Sequence, residues 1–291
     1  MHTDLSELSM ISMADLDSAL SLLEKEPGEW CIIAGGTDIM VQIHEGNPGF
    51  KQFLDISALA ELKNIEKSDS EVRVGALVTF DQIQDSEILQ TEFPNLCSAA
   101  ALTGSVAIQN RGTFGGNIAN ASPAADLPPA LLVYDAEIEL VSRKNRRRIP
   151  YREFHLDYKV VDMEPDEIIH SMLLKRHRKI SHHFYRKVGT RKAQAISKIV
   201  IAGSAQLDGN KIEAIRIAFG SVAPVPKRCT NIEAFLSGKT LSDETISRAL
   251  AMLDDVISPI DDIRSNAQFR ARVSRNVLGE FLESLVKQSA T

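Results

Sequence analysis

The chain has 291 residues, three cysteines and a formal net charge of −6, from 33 basic and 39 acidic residues. At roughly 150 residues per domain the length points to about two domains, and 44% hydrophobic with 25% charged residues is a globular composition, not a disordered one. An aromatic content of 5% and mild acidity argue against a base-stacking surface and against a broad basic footprint, so no nucleic-acid partner is expected.

The first ten residues include Asp4 and Glu7 and lack an apolar core, unlike a signal peptide. No apolar run approaches the ~18 residues of a membrane span. Met13, Leu16, Leu20 and Leu23 predict a helix, with Ser12 and Asp15 imitating a capping box and Pro27-Gly28 as its stop. Trp30 to Ile33 reads as a buried strand running into Ala34-Gly35-Gly36-Thr37-Asp38, and Ile39 to Ile43 as a helix, so the glycine pair sits in a strand-to-helix turn. Phe53 to Ile56 is a second strand. Alternation at Val72, Val74 and Ala76 opens a new unit, and Thr79 with Gln82 caps a helix through Ile83 and Leu89. Another helix is expected from about Pro94 to Leu102.

Gly104 to Pro129 is rich in glycine and proline and shows little periodicity; long loops in compact domains are often functional. Leu131 to Tyr134 looks helical, and Ile138, Leu140 and Ile149 look like strand residues. Between them, Arg143 to Arg148 holds five basic residues in six and reads as a hairpin tip, either a solvated turn or a dock for an acidic partner. In the last third, Phe184 to Lys187 and Lys198 to Leu207 are strand-like. Asp208-Gly209-Asn210 then turns into Ile212, Ile215, Ile217 and Phe219, a hairpin signal. Helical segments follow around 231–237, 243–257 and 266–287, the last with Phe269, Val273, Val277, Phe281 and Leu285 on one face. Strands followed by helices argue for an α+β domain beginning near 175–180.

Cys31, Cys97 and Cys229 are widely separated. A four-cysteine iron–sulfur site cannot be built from them, and a structural zinc site is disfavoured. Scattered thiols fit a reducing compartment, so a cytoplasmic protein is expected. His182-His183 is the one adjacent histidine pair. Neighbours on a strand face opposite sides, and surface histidines are expected there instead of a metal site.

The first glycine loop, Ala34 to Asp38, offers backbone N–H groups and the Thr37 hydroxyl to a phosphate, although a glycine pair can also be a plain tight turn. It matches neither GxGxxG nor GxxxxGK[ST]. The second, Thr113-Phe114-Gly115-Gly116-Asn117-Ile118 and onward to Asp126, adds Asn117, Asn120, Ser122 and a carboxylate suited to a ribose hydroxyl; the alternative is a structural Ω-loop. Two such loops about eighty residues apart suit a diphosphate gripped from two sides, and an adenine dinucleotide is the natural candidate.

With these motifs the sequence resembles the flavin subunits of molybdenum hydroxylases, the family of xanthine dehydrogenases and carbon monoxide dehydrogenases. The likeness runs from about residue 2 to 287. It rests on both glycine loops, Ala121-Ser122-Pro123-x-x-Asp126, Asp166-Glu167-Ile168-Ile169, Lys187-Val188-Gly189-x-Arg191 and Pro226-x-Arg228. The resemblance implies an α+β protein with a PCMH-like FAD-binding fold of two α/β subdomains, about 1–60 and 61–177. A small α+β domain of antiparallel sheet and helices follows at 178–291. FAD is the implied cofactor. Ile32, Ile33, Ala34, Gly35, Gly36, Thr37, Asp38 and Ile39 would wrap the pyrophosphate, with Thr113, Gly115, Gly116, Asn117 and Asn120 as the second grip. Asp126 would serve the ribose side, and Ile168 and Ile169 would line the pocket. Leu102, Thr103 and Lys187 would lie near the isoalloxazine ring. No metal ligands and no side-chain catalyst are implied in this chain.

The resemblance further implies an electron relay. A molybdenum-cofactor large subunit would hydroxylate substrate, and two 2Fe-2S clusters on a small subunit would pass electrons to FAD here and on to NAD, oxygen or another acceptor. A dimer of heterotrimers is the implied assembly. The stretch Lys192-Ala193-x-Ala195-Ile196-Ser197 looks closest to xanthine-dehydrogenase-type subunits, which suggests a purine or related N-heterocycle as substrate. A stand-alone oxidase of the vanillyl-alcohol-oxidase type is the alternative enzyme, and an assembly protein that has lost flavin the alternative outside catalysis. Gly116→Val is expected to abolish FAD retention by filling a backbone approach. The flavin-to-protein absorbance ratio of the purified variant measures this, and an unchanged ratio would reject the second-loop assignment.

Overall fold

A computed structural model describes residues 5–46, 49–176, 180–191 and 194–289; Lys192 and Ala193 of the stretch quoted above lie outside them. The chain begins with a small parallel sheet. Strand β1 (Ser9–Ser12), helix α1 (Leu16–Lys25), β2 (Cys31–Ile33), α2 (Ile39–His44) and β3 (Gln52–Asp55) give the order β1-β3-β2. Helix α1 buries Leu16, Ala19, Leu20 and Leu23 against Leu54, Ile56 and Leu59. Its N-cap is Asp15, whose carboxylate accepts from the Ser18 N–H at 2.8 Å. The Ser12–Asp15 capping box does not form. Ser12 is a strand residue paired with Asp55, and its hydroxyl donates to that carboxylate.

The second unit is a five-stranded antiparallel sheet with helices inserted between its strands. The elements are β4 (Ile65–Lys67), β5 (Glu71–Gly75), α3 (Phe80–Asp85), α4 (Glu87–Glu92), α5 (Pro94–Ala101), α6 (Val106–Gln109), α7 (Phe114–Ala119) and α8 (Pro128–Val133). Next come β6 (Glu137–Val141), β7 (Arg146–Pro150), α9 (Tyr151–Phe154), a β8–β9 hairpin (His155–Asp157, Val160–Val161) and β10 (Ile168–Lys175). The order β4-β5-β10-β6-β7 places the last strand at the centre. The capping box at Thr79 and Gln82 forms, although the helix expected to reach Leu89 breaks at Ser86 into α3 and α4. The stretch from Gly104, expected to be irregular, contains α6 and α7. They have four and six residues and are capped by Ser105 and Thr113, too short for a helical period to show in the sequence.

The basic run begins at the tip of the β6–β7 hairpin and continues into the strand. Arg146, Arg147 and Arg148 lie inside β7, not at the tip, and the run is neutralised by its own chain. Arg143 meets Asp17 at 2.5 Å and Lys144 meets Glu24 at 3.1 Å. Arg147 meets Glu167 at 2.7 Å and Asp162 at 3.1 Å. Arg146 and Arg148 meet Glu139 at 3.1 and 3.0 Å, and Arg73 joins them at 2.5 Å. These cations hold the buried Glu139 carboxyl below its usual range against the opposing effect of burial.

The third unit is an antiparallel sheet, β11 (His182–Val188), β12 (Ile199–Asp208), β13 (Lys211–Gly220) and β14 (Lys227–Arg228), in sequential order. Helices α10 (Thr230–Leu236), α11 (Asp243–Ala251) and α12 (Ala267–Ser289) cover it. On α12 the residues facing the sheet are Ser274, Val277, Leu278, Phe281, Leu282 and Leu285, whereas Phe269 and Val273 are only half-buried. Spacing by four advances 40° per step on a helix of 3.6 residues per turn, so a stripe drawn at that spacing drifts off the sheet. The Phe281 ring occupies the place of the missing Gly203 side chain, 2.6 Å from where its Cβ would lie.

The third unit grips α8 of the second at both ends. At the C-terminal end, Arg228 donates to the Leu132 carbonyl at 2.6 Å and to Asp135 at 2.8 Å, while Arg216 reaches Asp135 at 2.9 Å. At the N-terminal end Asp126 is bound by Lys187 and Ser197. His183 is half-buried, not a surface residue, and its Nδ1 lies 3.2 Å from the Tyr134 hydroxyl.

His155 packs edge-on against Tyr151 and Phe154, and its Nε2 lies 2.8 Å from the Tyr151 hydroxyl. Burial pushes its imidazole down to about 4. The unfolded chain therefore binds a proton near pH 6.5 that the folded chain refuses until about pH 4. This contribution to stability is intact above pH 6.5 and is lost as pH falls through that window, by up to ~3 kcal/mol. Urea unfolding of wild type and His155→Phe from pH 7 to 4 should show a shallower decline in the variant; parallel curves would reject the assignment.

Candidate functional site

The first glycine loop leaves β2 at Ile33 and enters α2 after Asp38. Its two glycines have different duties. A Cβ on Gly35 would lie 1.9 Å from the Arg111 carbonyl oxygen and 3.2 Å from the Gly112 Cα. The first loop therefore touches, backbone to backbone, the segment that introduces the second. Gly36 sits at φ +75°, the left-handed region that glycine reaches without strain. Asp38 stands at the start of α2 without a side-chain cap bond. Burial raises its carboxyl, partly offset by Lys159.

The second loop folds onto the end of β5. Phe114 N–H donates to the Val78 carbonyl and Gly115 N–H to the Ala76 carbonyl, each at 2.8 Å. A Cβ on Gly115 would lie 2.6 Å from that of Ala76. Gly115 is thus a packing glycine, while at Gly116 an added Cβ would meet the Thr113 hydroxyl at 2.8 Å. Thr113 is the N-cap of α7 and accepts from the Gly116 N–H at 3.2 Å. An added Cβ at Gly116 thus meets one side-chain hydroxyl, whereas at Gly35 it would meet main chain. Helices α2 and α7 have six residues each and offer little dipole, and the N–H groups of Phe114 to Asn117 are already bonded within the protein, so the first loop's N–H groups are the ones open to an anion.

Between the loops lies a cavity of about 370 Å³ with Gly35, Gly36, Thr37 and Asp38 on one side and Thr113, Gly115, Gly116 and Asn117 on the other. Ile32, Ala34, Ile39, Ile168 and Ile169 also line it. It adjoins a cavity of about 930 Å³ lined by all three units, and Asp38, Thr103, Asn117 and Asn120 face both. These volumes are of the size that binds small molecules and cofactors. Asn117 Oδ1 is a buried acceptor with no hydrogen-bond partner, at the junction of the two cavities. A buried acceptor left without a donor is costly, and a bound group carrying hydroxyls would satisfy it. The narrow cavity with its isoleucines suits a flat apolar ring, the loops suit a diphosphate, and the wide cavity suits a second, larger ring system. On these observations the residues fit FAD.

Not every expected residue faces this space. Ile33 packs in the core with Ile43 and Phe53, and its side chain lines neither cavity. Leu102 contributes its carbonyl oxygen to Lys187 at 2.8 Å. Lys187 Nζ also binds Asp126 Oδ2 at 2.6 Å, and Ser197 Oγ binds Asp126 Oδ1 at 2.5 Å. Asp126 borders the wide cavity with both carboxylate oxygens already engaged. Burial pushes its carboxyl up, opposed by Lys187, Ser197 and Thr103. Sequence reasoning missed the cavity wall at Phe50, Ile56, Phe80 and Met163, and on the side of the third unit Ser221, Pro224 and Arg270. Ser197 lay in a quoted stretch without a role.

The paired loops and joined cavities define a dinucleotide-binding protein. Residues 6–174 match the family described as the FAD binding domain in molybdopterin dehydrogenase, and residues 183–285 match the CO dehydrogenase flavoprotein C-terminal domain. The chain is 32% identical over 277 residues to the xanthine dehydrogenase FAD-binding subunit of Escherichia coli O157:H7, covering 94% of each. It is 26% identical over 268 residues to the carbon monoxide dehydrogenase medium chain of Hydrogenophaga pseudoflava, covering 91% and 92%. Its fold is similar to a chain of the solved carbon monoxide dehydrogenase from H. pseudoflava, with a TM-score of 0.90 at 24% identity over 97% and 98% of the two chains. Quinoline 2-oxidoreductase from Pseudomonas putida 86 gives 0.89 at 22% identity, covering 98% of both chains. The chain belongs to the FAD-binding subunits of the molybdenum hydroxylase family; it is an oxidoreductase flavoprotein and FAD is its cofactor. Among the described residues no helix is long and apolar enough to cross a membrane.

Gly35→Ala should lose FAD more completely than Gly116→Ala, because the first forces apart two backbones and the second displaces one hydroxyl. The flavin-to-protein ratio of the two purified variants checks this, and equal ratios would contradict the assigned roles.

Proposed function

We propose that this chain relays electrons for a molybdenum hydroxylase, taking them from 2Fe-2S clusters on a small partner subunit and delivering them to NAD, oxygen or another acceptor. A large partner subunit would carry the molybdenum cofactor and hydroxylate the substrate. Bound FAD supplies the redox chemistry, and the protein supplies position and electrostatics. The observation that carries the reading is the pair of glycine loops facing each other across joined cavities, with the unsatisfied Asn117 acceptor between them.

The chain's own residues have binding and orienting tasks. Backbone N–H groups of Gly35 to Thr37 would hold the pyrophosphate from the first loop, the Thr113 hydroxyl would donate to it from the second, and Asn117 Oδ1 would accept from a hydroxyl. Ile168 and Ile169 would flank the adenine in the narrow cavity. The wide cavity would take the isoalloxazine end. Thr103 borders it, and the carbonyl of the preceding Leu102 is bound by the ammonium of Lys187. Asp126 would reach a ribose or ribityl hydroxyl through oxygens already bonded to Ser197 and Lys187. The domain division proposed is 1–60, 61–177 and 178–291.

The E. coli relative, named as a xanthine dehydrogenase subunit, supports a purine or related N-heterocycle as the substrate of the assembled enzyme. Three free thiols support a cytoplasmic setting. A dimer of heterotrimers is the assembly proposed. Coexpression with a molybdenum-cofactor large subunit and a 2Fe-2S small subunit should yield a complex whose flavin absorbance bleaches when xanthine is added without an acceptor. The isolated chain should not bleach. Bleaching of the isolated chain, or failure of the three chains to associate, would overturn the relay.

A further inference from the structure

We infer that the third unit shapes the cofactor cleft directly, with Ser197 and Tyr185 acting as positioning residues for the segment Ser122–Asp126. The inference rests on the flavin reading and adds to it a set of residues outside both glycine loops.

Segment Ser122–Asp126 carries the second loop into α8 and borders the wide cavity. Bonds within it are few: Ala125 N–H donates to the Ser122 carbonyl at 3.0 Å and Ala124 N–H to the Ser122 hydroxyl at 3.3 Å. Thr103 of the same unit reaches Asp126 only at 3.5 Å. The short bonds come from across the unit boundary. Ser197 and Lys187 each take one oxygen of the Asp126 carboxylate. The Tyr185 hydroxyl donates to the Asp126 main-chain carbonyl at 2.9 Å, and Ser221 N–H donates to the Pro123 carbonyl at 2.8 Å.

The anchors are themselves braced. Ser221 sits at φ +65°, a left-handed conformation that serine rarely adopts, and it is buried. Such a conformation persists where its surroundings over-determine it, and ligand clamps are a usual place to find one. Here the Ser221 hydroxyl donates to the Ser197 carbonyl at 3.1 Å, and its carbonyl accepts from Arg270 at 3.0 Å. A chain of bonds therefore runs from Arg270 on α12 through Ser221 and Ser197 to Asp126 at the cavity. Cofactor binding and the seating of the third unit are then linked, and each strengthens the other by the same factor.

The test uses the full chain stripped of FAD, with Tyr185→Phe, Ser197→Ala and Ser197→Thr. Titration followed by flavin fluorescence should show a dissociation constant at least about fivefold weaker for Tyr185→Phe and Ser197→Ala, the size of one lost hydrogen bond. Ser197→Thr should restore it, since the hydroxyl is kept. The visible circular dichroism of bound flavin should change in the two weakened variants, and FAD should slow amide exchange at Ser221 in wild type. Purely structural roles would lower the apo melting temperature and leave affinity, dichroism and exchange alone. Dissociation constants within about twofold of wild type for both Tyr185→Phe and Ser197→Ala would overturn the inference. A wild-type chain that takes up no FAD would reject the flavin reading itself, a result separate from any difference between variants.

Discussion

Helix α8 has six residues and is held at both ends by a neighbouring unit, and the cleft depends on that grip. Arg228 and Arg216 bind its last turn through the Leu132 carbonyl and Asp135. Lys187 and Ser197 bind Asp126 just before its first. Such a short helix has little intrinsic stability and takes its position from tertiary contacts. Asp126 and Lys187 are both buried, so neither charge is tolerable alone, and their pairing ties the third unit to the end of the cofactor loop.

The second constraint is the backbone contact between Gly35 and Arg111. The two glycine loops come from different sheets, one parallel and one antiparallel, and among the described residues no strand pairing joins those sheets. What sets their separation is this contact, together with the apolar face of α1, Leu16, Leu20 and Leu23, which shares a core with Val141 and Ile168 of the second sheet. A cavity with a fixed gap can be preorganised for a diphosphate, so less binding energy is spent on ordering the loops.

Much of this was legible in the sequence because the signals were local. Glycine pairs marked both loops, the first after a buried strand and the second in an aperiodic stretch, while Val72 and Val74 marked a strand by alternation and Thr79 with Gln82 marked a helix start. What failed to show depended on distant partners. Ser12 has the chemistry of a helix cap but is claimed by a strand. Arg146 to Arg148 look like a solvent-facing run until Glu139 and Glu167 are brought beneath them. Helices α6 and α7 are shorter than the window in which a period can be seen. Ser221 carries no mark of its left-handed backbone, and Ser197 acquires its role only through Asp126, seventy-one positions away. The site was therefore legible as two motifs, and its third wall was not.

The position of β10 in its sheet bears on how the chain is made. This strand, Ile168–Lys175, is last in its unit yet lies between β5 and β6, and without it the sheet falls into two separate pairs. Its first residue, Ile168, also enters the core under α1. On the ribosome, about 170 residues must emerge before either of the first two cores can close, and the inserted helices wait with them. The cofactor cleft is then a late event in synthesis, since Ser221 and Arg270, which wall its wide part, follow β10 in the chain.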